Sequence, residues 1–175
     1  MGDAAWLKDH IRDIPDFPKP GIVFRDITPL LADPTAFRTT VDSLCDHWAG
    51  RRVDKVLGIE ARGFILAAPV AYRMSAGFVP VRKKGKLPGP VHSEGYDLEY
   101  GTDLLEIHGD ALEPGEQVLV VDDVLATGGT SAAAARLVEK LSASVAGIAF
   151  VLELDFLGGR TRLGGHEAVS LVHYE

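Results

Sequence analysis

Apolar positions along the chain follow two periods. Phe37, Val41, Leu44, Cys45 and Trp48 recur at helical spacing behind Asp33-Pro34, an N-cap followed by proline at the first helical position. A helix is expected from there to about Trp48. Trp6, Leu7, Ile11 and Ile14 predict an earlier helix, capped by Asp3 and stopped by Pro15, Pro18 and Pro20. Short apolar, β-branched runs read as strands: Val53 to Ile59, Phe78 to Val81, Leu104 to Ile107, Val118 to Val121, Ser144 to Leu154 and Ala168 to Val172. Helices are expected between them, from Phe64 to about Met74 and from Ser131 to Leu141. This alternation implies an α/β fold, with a largely parallel central sheet flanked by helices and ligands at the C-terminal ends of the strands. A length of 175 residues suits one domain spanning residues 1–175.

The densest chemistry lies in Gln117 to Leu141, QVLVVDDVLATGGTSAAAARLVEKL. Val118 to Val121 reads as a strand buried on both faces. Asp122 and Asp123 stand where that strand is expected to run out. Ala126-Thr127-Gly128-Gly129-Thr130 follows, small and rich in free backbone N–H groups, and then a helix begins. Such a loop at a helix N-terminus suits a phosphate, and the neighbouring carboxylates suit the hydroxyls of a sugar. Together they point to a phosphorylated sugar, although either half alone could be a plain turn or solvated charge. The loop has no lysine before a Ser or Thr, so it is not a P-loop, and the chain contains no G-x-G-x-x-G.

Glu60-Ala61-Arg62-Gly63 repeats the strand, tight loop and helix design. Arg62 could grip phosphate oxygens bidentately, or pair with Glu60 at the surface. Phe17 to Leu31 (FPKPGIVFRDITPLL) is irregular, and its Ile22-Val23-Phe24 run lacks helical period. It suits either a loop covering the core or a wall for a flat apolar ligand, with Phe24 stacking on a base.

Charge narrows the function classes. Lys+Arg number 18 against 25 Asp+Glu, a net charge of −7, which argues against general nucleic-acid binding. An anionic substrate then needs local positive charge, and Arg82-Lys83-Lys84-Gly85-Lys86 supplies it. That cluster opens a long polar stretch, Arg82 to about Gly101, expected to be a functional loop. The lone cysteine, Cys45, lies on an apolar helical stripe and reads as a buried structural thiol. No His, Cys and carboxylate cluster has zinc spacing, so no protein-bound metal is expected. Neither a signal peptide nor a membrane-length apolar run is visible, which makes the cytoplasm the expected location.

VVDDVLATGGT resembles the phosphoribosyl-pyrophosphate motif of the type I phosphoribosyltransferases. Phe17 to Leu31, Glu60 to Phe64, Arg82 to Gly89 and Glu99-Tyr100-Gly101 are similar to stretches of the adenine-specific members, in the same order. The resemblance implies transfer of a 5-phosphoribosyl group from phosphoribosyl pyrophosphate to adenine, giving AMP and pyrophosphate in purine salvage. It implies that Val23, Phe24, Arg25 and Leu125 hold adenine. Glu60, Ala61, Arg62 and Gly63, with Arg82, Lys83 and Lys86, are implied to hold pyrophosphate. Ala126 to Thr130 would hold the 5′-phosphate. Asp122 and Asp123 would hold the ribose hydroxyls, Glu99 would handle a proton of the purine, and Tyr100 would shape a closing hood. Also implied are a cis Glu60–Ala61 peptide, Mg²⁺ carried by substrate oxygens and water, and a homodimer. A transferase for hypoxanthine, guanine or orotate is the alternative that the central motif permits. A non-catalytic phosphoribosyl-pyrophosphate sensor that controls transcription would need a DNA-binding part, and none is visible.

Overall fold

The computed structural model describes residues 5–97 and 102–175. A 3₁₀ turn, Ala5–His10, leads into strand β1 (Arg12–Pro15), which pairs antiparallel with β2 (Val23–Asp26). This corrects the expected first helix, whose Asp3 cap lies outside the described residues. Pro15 cannot continue a helix, and Arg12 instead reaches across to Asp26, with Nη2 2.7 Å from Oδ2. The expected irregular segment after it is also ordered, since β2 is followed at once by helix α1 (Thr28–Ala32). Helix α2 (Pro34–His47) starts as its sequence predicts: the Asp33 carboxylate accepts hydrogen bonds from the Thr35 and Ala36 amides.

Strand β3 (Lys55–Ile59), helix α3 (Arg62–Met74) and strand β4 (Gly77–Lys83) form a parallel βαβ unit. The stretch expected as a loop from Arg82 is largely strand. β4 extends to Lys83, and after a turn β5 (Val91–Asp97) pairs antiparallel with β6 (Thr102–His108). Strand β7 (Gln117–Leu125), helix α4 (Gly129–Lys140), β8 (Ser144–Leu154) and β9 (Ala168–Tyr174) complete the order. Among the described residues the main sheet runs β5-β6-β4-β3-β7-β8-β9. It is parallel from β4 through β9 and antiparallel at the β6 and β5 edge.

Both faces of this sheet are covered, which explains the unbroken apolar run in β7. Leu119 and Val121 pack into the core under α2 and α3, while Val118 and Val120 pack into the core under α4. Cys45 sits in the first core, where burial pushes its thiol up. Trp48 is fully buried against Gly147, where a Cβ would come within 1.9 Å of the indole. Among the described residues, no helix is long and apolar enough to cross a membrane.

Candidate active site

Parallel pairing of β3 with β7 sets two strand ends side by side. The loop after β3 and the loop after β7 therefore face one cavity of about 540 Å³. Its walls include Glu60, Ala61 and Arg62 from the first loop, and Ala126, Thr127, Gly128 and Thr130 from the second. Asp122, Asp123, Lys83 and Lys86 also line it. β7 does not stop before the acidic pair, as its sequence suggests, but continues through Leu125. The two carboxylates thus project from the part of β7 that runs past its pairing with β3 and is held by β8.

Asp122 and Asp123 are electrostatically strained. Burial pushes the Asp122 carboxyl well above the usual range, and the Asp123 charge beside it adds to the effect. Burial also raises Asp123, partly offset by the Arg62 guanidinium. Arg62 Nε stands 2.6 Å from Asp123 Oδ2, and the Asp122 carboxylate accepts the Asp123 amide at 2.9 Å. Gly63 does not line the cavity. It lets α3 approach β7, because a Cβ there would lie 2.8 Å from Asp122 Oδ1 and 3.0 Å from the Val121 carbonyl.

The peptide between Glu60 and Ala61 is cis, as the resemblance implies. The Glu60 carboxylate gathers the basic turn. It pairs with Lys86 and with Arg82 (Nε–Oε2 3.3 Å), and it accepts the Lys83 amide at 3.0 Å. Burial pushes this carboxyl up, but the hydrogen bonds from Lys86, the Lys83 amide and Arg82 outweigh it and hold it below the ordinary range. Glu106 secures the same turn by accepting the Gly85 amide at 2.8 Å. Arg82 therefore lies behind the cavity wall, whereas Lys83 and Lys86 reach it.

In the phosphate-loop candidate, Gly128 is the glycine that the backbone requires. Its φ is +78°, and it caps α4, which begins at Gly129. Of the expected base contacts, Phe24 meets Arg62, whose guanidinium lies 5.1 Å from its ring centroid. Val23 is exposed, and Arg25 pairs with Asp13 and stacks on Tyr174. The Leu125 side chain is fully buried in the core under α4 and does not line the cavity. Glu99 and Tyr100 lie outside the described residues.

The structure also brings in residues that the sequence did not single out. Tyr96, Leu105, Val124 and Ser131 line the cavity. Burial and a hydrogen bond to Asp103 (3.0 Å) push the Tyr96 hydroxyl up to about 12, so it stays protonated. Its only signal in the sequence was a tyrosine within the polar stretch, one among several polar groups there.

Residues 37–160 match the phosphoribosyl transferase domain family. The chain is 58% identical to the adenine phosphoribosyltransferase of Solibacter usitatus over 169 residues, covering 97% of this chain and 98% of that one. It belongs to the adenine phosphoribosyltransferase family. The family member from Acidothermus cellulolyticus is 60% identical over 163 residues, with 93% and 92% of the two chains covered. The crystal structure of the Thermoanaerobacter pseudethanolicus adenine phosphoribosyltransferase superposes with a TM-score of 0.95 at 52% identity, covering 98% of this chain and 99% of that one. The Saccharomyces cerevisiae enzyme superposes with a TM-score of 0.91 at 41% identity, over 96% and 97% of the chains. That structure was solved with adenine and an imino-altritol bisphosphate. In this family member the candidate phosphate loop, acidic pair and Arg62 share one cavity at the C-terminal end of the sheet.

Proposed function

We propose that this chain transfers the 5-phosphoribosyl group of phosphoribosyl pyrophosphate to adenine, forming AMP and pyrophosphate. One observation carries the reading: a glycine loop at a helix start, the buried Asp123 carboxylate with the part-buried Asp122 beside it, and the partly exposed Arg62 guanidinium converge on one cavity. Ala126 to Thr130 holds the 5′-phosphate through backbone N–H groups and threonine hydroxyls. Asp122 and Asp123 accept hydrogen bonds from the ribose hydroxyls. Their charge stabilises the positive ribose that develops as the C1–pyrophosphate bond breaks and N9 of adenine attacks. Their raised proton affinity suits this role, since a cationic ribose in the cavity favours the ionised pair.

Arg62 and the Glu60–Gly63 loop, with Lys83 and Lys86, receive the leaving pyrophosphate, while Arg82 braces the basic turn through Glu60. Adenine lies against Phe24, between Val23 and the Arg25 backbone. Glu99 handles a purine proton and Tyr100 shapes the hood, by resemblance to the family. The acidic pair is already engaged by Arg62 and the Asp123 amide. This fits Mg²⁺ held chiefly by diphosphate oxygens and water, where it offsets the charge of the leaving group.

The reading extends to one domain, a cytoplasmic location and a homodimer. The dimer is supported by Ile65 and Tyr72, seven residues apart on α3 and both exposed. Measuring mononucleotide formation from phosphoribosyl pyrophosphate with adenine, hypoxanthine, guanine and orotate tests the function. Adenine is expected to be preferred, and equal or greater turnover of another base overturns the assignment.

A further inference from the structure

The chain between β8 and β9 packs directly on the candidate phosphate loop. A Cβ at Gly159 would lie 2.2 Å from the Ala126 carbonyl and 2.9 Å from the Gly128 amide nitrogen. Reciprocally, a Cβ at Gly128 would lie 2.3 Å from the Gly159 carbonyl. Two backbones thus touch without side chains between them, so neither can shift towards the other without displacing it.

The residue next to Gly159 is anchored by its side chain. Arg160 forks onto Glu153, with Nε 3.0 Å from Oε1 and Nη2 on Oε2, and donates Nη1 to the Ala168 carbonyl of β9 at 2.8 Å. Ser170 on β9 donates to the same Glu153 carboxylate at 2.7 Å. Glu153 is almost fully buried. It lies on β8 in register with Leu125, the residue immediately before the loop. Glu153 therefore stands beside the base of the loop, while Gly159, next to its partner Arg160, packs on Ala126 and Gly128. Asp155 and His173 pair nearby, His173 Nδ1 lying 3.0 Å from Asp155 Oδ1 and 3.9 Å from Glu153 Oε2. Glu153 itself is already committed to Arg160 and Ser170.

We propose that the Glu153–Arg160 pair is a positioning device for the phosphate loop: it clamps the Gly159 backbone onto Ala126 and Gly128 and so sets the direction of the loop's N–H groups. The inference rests on the 5′-phosphate reading of Ala126 to Thr130. Glu153, Arg160 and Gly159 touch no substrate and act through the loop. Their effect therefore falls on the phosphoribosyl half of the substrate and not on pyrophosphate, which is held across the cavity by the loop after β3.

Gly159→Ala, Arg160→Met and Arg160→Lys are compared with wild type for the KM of phosphoribosyl pyrophosphate, the KM of adenine and the inhibition constant of pyrophosphate. Thermal melts establish which variants are folded. Gly159→Ala and Arg160→Met are expected to raise the KM of phosphoribosyl pyrophosphate about tenfold or more, as misplacement of a binding group does. The pyrophosphate constant should stay within about twofold of wild type. Arg160→Lys keeps the charge without the fork and should fall between them. It also decides the matter if the harsher variants do not fold. Unchanged phosphoribosyl pyrophosphate KM in the folded variants, or parallel weakening of pyrophosphate, overturns the inference. Thr127→Val separates the two levels. If Thr127→Val raises that KM while the other variants do not, only the clamp fails. If Thr127→Val changes nothing, the phosphate-loop reading fails and the clamp with it.

Discussion

Arg62 Nε lies 2.6 Å from Asp123 Oδ2, joining the first residue of α3 to the acidic end of β7. The same guanidinium sits 5.1 Å from the Phe24 ring. One side chain of the pyrophosphate loop thus meets both the ribose carboxylates and the base wall of the proposed site.

Replacing Arg62 with Met leaves the burial of Asp123 without its cationic offset, so the carboxyl moves further up. If ionised Asp123 is required, the acidic limb of the kcat/KM profile shifts to higher pH. Activity at neutral pH should drop about 100-fold, the scale for losing one electrostatic contact. Arg62→Lys restores charge but not the fork and should recover only part. Steady-state kinetics between about pH 5 and 9 measures this, and an unmoved acidic limb contradicts the coupling.

Asp122→Asn should separate stability from activity. A carboxyl held above its unfolded value supports folding fully below the ordinary carboxylate range and loses that support as pH rises through its folded value. Burial and Asp123 place Asp122 in this class. The Asn variant is therefore expected to melt a few degrees higher than wild type at about pH 7.5, with the gap closing towards about pH 4. Its turnover should fall at least about tenfold. Calorimetric melts at the two pH values test the first half, and a variant less stable than wild type at the higher pH refutes it.

Gly63→Ala is expected to be costly although alanine is the better helix former. The added methyl meets Asp122 Oδ1 at 2.8 Å and the Val121 carbonyl at 3.0 Å. Overpacking of this kind costs about 1–3 kcal/mol, against about 0.5–1 kcal/mol gained from helix propensity. Because the obstructing atom belongs to Asp122, turnover should fall with stability. Urea unfolding and kcat measured together decide it; a stabilised, fully active variant means α3 has room to move.

Glu60→Gln should loosen the basic turn. Glu60 holds Lys86, Arg82 and the Lys83 amide, and its lowered carboxyl keeps these pairs charged down to the acidic side of the ordinary range. As pH falls through its folded value the support is lost. In the variant the turn keeps its cations but not their placement. The KM of phosphoribosyl pyrophosphate and the inhibition constant of pyrophosphate should both rise about tenfold, with adenine little affected. An effect confined to adenine would count against this role.

Local chemistry made much of the protein legible in the sequence. The Asp33-Pro34 cap, the α2 stripe, the β8 run and the phosphate-loop candidate each depend on neighbours within a few residues, and they fold as their spacing says. The acidic pair was also visible, although its strand runs further than its apolar stretch. β7 is paired on both sides, with β3 and β8, and pairing with β8 carries it through Leu125.

Long-range pairing decided the rest. Arg12 binding Asp26 turned an apparent helix into a strand, and β5 pairing with β6 turned an apparent loop into a hairpin. Leu125 is apolar and next to the loop, yet the register with Glu153 buries it under α4. Gly159 lies about thirty residues beyond Gly128, and nothing in its own surroundings announces that the two backbones touch. The sequence by itself determined the elements and the types of chemistry available, because hydrophobic period and backbone preference act over one or two turns of chain. Only the tertiary structure decided which groups share a cavity and which brace it, because those contacts arise when distant strands pair and their loops are brought face to face.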